Sequence, residues 1–191
     1  MSLLKVDAIT GKSDTTEINS PITFTANSVT ITNATITANT IKKPTLPAFV
    51  ARMTTSISAM GLATDNNVFD TTSSSYLNFD QGNHYDETNK KFVAPIAGLY
   101  WFHASWDLRD EIVNNVTYYL MSLKLNGSAK FHHIYDHVGS ADSFYHTIVL
   151  NGMMDLSVND EVTAIARQEG GSNMTNIDNG AGTFFMGYFI G

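Results

Sequence analysis

The histidines of this chain gather in one place, as His132-His133-Ile-Tyr-Asp136-His137, with Asp142 and His146 close behind. Imidazole and carboxylate together are the side chains that hold divalent transition metals. His133 and His137 share one face of a strand but are not adjacent on it, so one chain alone does not close a site. Three copies of one histidine around a threefold axis would. The other reading, which we adopt, is ordinary hydrogen-bonded surface or interface histidines. A second set, Asp107-Leu-Arg-Asp110-Glu111, is expected in the loop after an aromatic strand and offers oxygen ligands for calcium. Its spacing matches no defined calcium loop, and Arg109 can pair with its neighbours, so a solvated loop is the plainer reading. No cofactor is expected, with calcium or another divalent metal kept as the alternative.

Catalytic patterns are missing. No nucleophile elbow, phosphate loop, dinucleotide fingerprint or zinc-protease motif occurs. Asp70, Asp80, Asp86 and Glu87 supply carboxylates, but nothing in their spacing pairs two across a cleft. Ser140 lies near His137 and Asp142 in a Gly-Ser-Ala turn, a coincidence common in loops. The expectation is a protein that is not an enzyme.

These residues must be positioned by strands. From Leu46 onward, apolar runs alternate with the turn signals Asn126-Gly127, Gly139-Ser140, Asn159-Asp160, Gly170-Gly171 and Asn179-Gly180. Strands are expected over 48–53, 76–79, 91–94, 98–107, 116–125, 129–136, 143–150, 161–167 and 182–190. No helical stripe competes with them, and the four prolines all precede residue 96. The class is an all-β, antiparallel sandwich. Along 98–104, Tyr100, Phe102 and Ala104 share one strand face, and Leu99, Trp101 and His103 the other. Apolar residues on both faces, repeated in Phe184-Phe185-Met186 and Tyr118-Tyr119-Leu120-Met121, imply a sandwich core on one side and neighbouring subunits on the other. Tyr100, Trp101, Phe102, Phe184, Phe185 and Tyr188 are therefore the expected core and trimer residues.

Residues 1–45 read differently. Ile18 to Ile41 is Thr-, Asn- and Ser-rich with single apolar residues at alternate positions, and Thr30-Ile-Thr-Asn-Ala is nearly repeated as Thr35-Ile-Thr-Ala-Asn. Such a segment has too few apolar side chains to bury a core alone. It is expected to be an extended stalk or anchor, ordered by threefold wrapping or by another protein, with a solvated linker as the alternative. The head is then 46–191.

Composition narrows the partners. A net charge of −7 without basic clusters argues against nucleic acid, and no run is long and apolar enough to span a membrane. No cysteine means no disulfide and no thiolate metal site. The N-terminus carries no apolar core of a secretory signal.

The stretch from Asp80 through Tyr85, Phe92, Gly98, Tyr100 and Phe102 resembles the signature of the globular head of complement component 1q, a jelly-roll shared with the tumour necrosis factor superfamily. Ser74 and Ala104 stand where two aromatics would be, with Phe79 or Tyr76 as candidates to supply a missing ring. Pro47-Ala-Phe-Val-Ala resembles the family's first strand, Val158-Asn-Asp-Glu-Val its turn before the penultimate strand, and Thr183 to Ile190 its closing strand. The resemblance implies a homotrimeric jelly-roll and a binding module. The N-terminal segment, from Leu3-Leu-Lys-Val-Asp-Ala-Ile-Thr onward, is similar to short virion proteins of phages infecting marine bacteria. It implies a tail fibre, spike or capsid-attached fibre, assembled in the bacterial cytoplasm. Residues 1–45 would then contact other virion proteins, and the head a host-surface glycan or protein. A cellular complement-like or tumour-necrosis-like ligand or lectin-like module, and a polysaccharide-degrading spike, are the alternatives.

Overall fold

In a computed structural model the chain divides into two units, Met1–Ile41 and Lys42–Gly191. The described residues are 46–58, 60, 62–72, 78–110, 116–136, 144–170 and 176–191. The expectations for 1–45, and those resting on Ser74, Tyr76, Glu111, His137, Ser140 and Asp142, lie outside them.

Eleven strands run through the described residues, every pairing antiparallel and none interrupted by a helix. They are β1 (Ala48–Ala51), β2 (Phe79–Gln81), β3 (Tyr85–Asp86), β4 (Lys91–Val93), β5 (Gly98–Asp110) and β6 (Val116–Leu125). The rest are β7 (Ser128–Asp136), β8 (Phe144–Leu156), β9 (Glu161–Gly170), β10 (Asn176–Asp178) and β11 (Phe184–Phe189). The first sheet is built around β5. It pairs β8 along its whole length on one side, and β11 followed by β10 on the other, with β1 and β2 beyond β11. The second sheet runs β3-β4-β9-β6-β7.

Period-two burial shows why these segments are strands. Along β5, Tyr100, Phe102, Ala104, Trp106 and Leu108 are fully buried, while Leu99, Trp101, His103, Asp107 and Arg109 between them are more open, Ser105 alone of the alternate positions being buried too. The core between the sheets is aromatic and centred on Phe49. Its ring lies 5.0 Å from Tyr85, 5.1 Å from Phe92 and 4.9 Å from Phe185. Such pairs contribute about 0.5–1.5 kcal/mol each beyond the area they bury. Gly187 and Gly98 make room for this crowding. A Cβ on residue 187 would stand 2.5 Å from Phe102 Cδ1, and Gly98, at φ 141°, lies against Phe189 and the Gly191 carbonyl. The Asn126-Gly127 hairpin has φ of 49° and 79°, the twist that joins right-handed strands without splaying them.

Several expectations are corrected. Asp107 and Asp110 do not lie in a loop but inside β5, which continues to residue 110 because β8 pairs with every position. That long ladder outweighs the poor strand propensity of aspartate. β8 likewise runs on to Leu156 and β9 to Gly170. β2 is described over 79–81, residues 76 and 77 of the expected strand lying outside the described residues, and β3 and β10 are additional. Phe79 is 47% exposed and supplies no core ring. Phe69 does so instead. It is fully buried 5.8 Å from Trp106 and 5.8 Å from Phe185, the residue paired with Ala104. A core ring is thus supplied from another segment, beside the neighbours of Ala104.

Candidate functional site

The outer face of the first sheet is where the fold leaves apolar groups to solvent. β5 contributes Leu99, Trp101 and His103 to it, β8 contributes Val149 and Met153, β11 contributes Phe184, Met186 and Tyr188, and β1 contributes Val50. Met153 is 58% exposed, Tyr188 46% and Val149 46%. The six expected core and trimer residues thus divide. Tyr100, Phe102 and Phe185 point inward and are fully buried, whereas Trp101, Phe184 and Tyr188 point outward.

The outward rings form a ladder across the strands. Tyr188 lies 5.4 Å from Trp101, and Trp101 stacks on His103 at 5.7 Å with 18° between planes. His103 stacks on Phe184 at 5.3 Å and 23°, and the Arg52 guanidinium sits over Phe184 at 5.5 Å. Arg52 is fixed there by donating to Asn78 Oδ1 at 2.8 Å and to the Ala181 carbonyl at 2.9 Å. Cross-strand neighbours on one sheet face are close enough for such stacking, so register alone builds the ladder. Burial among the rings pushes the His103 imidazole below its ordinary pKa.

Of the metal candidates, His137 lies outside the described residues. His133 is exposed on β7, paired with Met121. His146 accepts or shares a hydrogen bond with the Tyr135 hydroxyl at 2.7 Å. Asp107 accepts from Thr147 Oγ1, and Arg109 is paired with Asp178 at 2.7 Å. Among the described residues no three His, Asp or Glu side chains converge as metal ligands would.

The carboxylates weighed for catalysis hold loops. Asp80 accepts the backbone N–H groups of His84 at 3.0 Å and Tyr85 at 2.9 Å, closing the turn between β2 and β3. Asp70 accepts from the N–H and hydroxyl of Thr54, and Glu87 from the N–H and hydroxyl of Thr72. Asp86 lines a surface hollow of about 280 Å³ with His84 and Asn159. Hydrogen bonds from the Asn89 side chain and N–H hold its carboxyl below the usual range. Tyr85 lies behind this turn and donates to the Phe69 carbonyl at 2.7 Å. Burial, then the charges of Asp70, Glu87 and Asp86, push its phenol well above the ordinary value.

Two antiparallel sheets around a Phe49-centred aromatic core, with Tyr85, Phe92, Tyr100 and Phe102 contributed at signature spacing, define a complement-type jelly-roll sandwich. The family model of the C1q domain matches residues 48–190, and the chain belongs to that family. Among solved structures, the globular domain of the zebrafish complement 1qA protein is similar in fold. Its TM-score is 0.52 at 14% identity, over 76% of this chain and 98% of that one. At that identity the likeness speaks for fold alone. No curated protein matches the chain in sequence.

Proposed function

We propose that this chain is a non-enzymatic binding head that assembles as a homotrimer and is displayed on a bacteriophage particle. The observation that carries the trimer is the outer face of the first sheet. Trp101, His103, Phe184, Met186, Tyr188, Val149 and Met153 form one contiguous apolar surface on the side away from the core. Water contact with such a surface is costly, and a second copy of the same face is always at hand. The occupant is other copies of this chain, in keeping with the C1q domain match.

The virion reading draws its support from residues 1–45, whose Thr/Asn/Ile alternation and near-repeat suit a shaft built by several chains. Those residues would attach the head to other virion proteins, leaving the head to meet a glycan or protein of the host surface. The test of assembly is the solution mass by light scattering. Three times the chain mass of 20.9 kDa is expected, and a single-chain mass would sink the trimer. Cryo-electron microscopy of the intact particle tests the virion role. Density for threefold heads is expected at a tail or capsid attachment point. If the protein is instead found on bacterial or animal cells and never on particles, the cellular ligand reading takes its place.

A further inference from the structure

We infer that His103 makes assembly of the head pH-dependent, holding copies together while its imidazole is neutral and separating them once it takes a proton. The inference rests on the trimer reading above and concerns regulation of the same face.

His103 lies in the middle of that face, between Trp101 and Phe184, stacked on each within 6 Å. The elements packed against it bring no counter-charge. β8 presents Asn151 directly opposite, with Val149 and Met153 at the diagonals. β11 presents Met186 opposite, with Phe184 and Tyr188 at the diagonals. On β5 itself the flanking positions are Trp101 and Ser105. The nearest charged groups on the face are each engaged elsewhere or farther along it. Asp107 bonds Thr147, Arg109 pairs with Asp178, Asp155 lies opposite Leu99, and Arg52 sits beyond Phe184.

The two protonation states therefore differ in what docking does to them. A neutral imidazole between two rings behaves as part of the apolar face. An imidazolium on a free head, although burial among the rings already disfavours it, still meets water on the open side of the face. Covered by a neighbouring copy, the same cation loses its water, and its own chain supplies no carboxylate beside it. The separated chains thus bind protons more readily than the assembly. By linkage the assembly is favoured as pH rises, and it weakens as pH falls through a range that burial sets below the ordinary histidine one. If each of three copies must stay neutral, the dissociation constant rises by up to about a thousandfold per pH unit below that range.

The test is sedimentation of the full chain at pH 8 and pH 5, alongside His103→Gln and His103→Phe chains. The wild-type chain is expected as a trimer at pH 8 and largely as single chains at pH 5, with both variants trimeric at both values. A wild-type dissociation constant unchanged at pH 5, or variants that separate as the wild type does, would overturn the role of His103. Single chains already at pH 8 would instead overturn the trimer reading. An NMR titration of the His103 ring, run at high and at low chain concentration, needs no variant. A lower pKa at high concentration supports the switch, and equal values refute it.

Discussion

Phe131, on the edge strand of one sheet, presses its ring onto Gly152, on the edge strand of the other. A Cβ at 152 would stand 2.7 Å from ring carbons Cδ2 and Cε2 and 2.9 Å from Cγ. Together with the Tyr135–His146 contact, this closes the open side of the sandwich where β7 and β8 run past each other.

Replacing Gly152 with alanine should therefore cost about 1–3 kcal/mol, the usual penalty for overpacking. Urea unfolding measures it, and the double variant with Phe131→Leu should recover part of the loss. No destabilisation in the single variant would mean the ring moves aside freely.

The inward and outward rings of the first sheet should respond differently to substitution. Phe49→Ala opens a cavity among Tyr85, Phe92 and Phe185 and should cost about 3–5 kcal/mol of fold stability. Trp101→Glu sits on the outer face, so its circular dichroism should stay that of the wild type while the solution mass falls to one chain. A Trp101→Glu chain that fails to fold would contradict the outward placement.

Tyr85 should give the head an alkaline limit. Its folded pKa is raised above the unfolded value of about 10, so the neutral phenol contributes stability that is present below that pH. The contribution is lost as pH climbs above about 10 toward the folded value. Tyr85→Phe removes the donor to the Phe69 carbonyl and should cost about 1–3 kcal/mol at neutral pH. It should also flatten the decline in stability above pH 10, which unfolding curves across that range will reveal.

Asp80→Ala strips two hydrogen bonds from the turn between β2 and β3, a loss of about 1–2 kcal/mol by analogy with helix caps. Hydrogen exchange at the His84 and Tyr85 amides should quicken in that variant. Unchanged protection would show that the turn holds without its carboxylate.

How far the residues announced all this depends on where each lies. Tyr100, Phe102 and Trp101 alternate along a long strand, so their faces follow from period two and the structure separates them accordingly. Tyr85 and Phe92 carry the family signature and Phe49 the resemblance to its first strand, and the three meet in one aromatic cluster. Phe69 was illegible because it lies outside any strand, in a stretch held by isolated bridges at Asn66 and Thr71 and by hydrogen bonds to Arg52, Thr54, Tyr85 and Lys90. β3 and β10 span too few residues to show a period. Asp107 read as a loop residue because charge suggested solvent, but the outer face of a central strand meets solvent too. The stacking of His103 between Trp101 and Phe184 needs the register of β5 against β11, which a single strand does not carry.

The two ends of the head are tied to each other. The Phe189 N–H donates to the Pro47 carbonyl at 3.0 Å, the Leu99 N–H to the Gly191 carbonyl at 2.8 Å, and β1 lies beside β11. The strand order is therefore close to circular. A short bridge from residue 191 to residue 47, with the chain opened instead between Asn126 and Gly127, would trace the same sheets from a new starting point. For anyone grafting this head onto another carrier, attachment through either terminus is mechanically the same attachment, because both pull on the same corner of the sandwich.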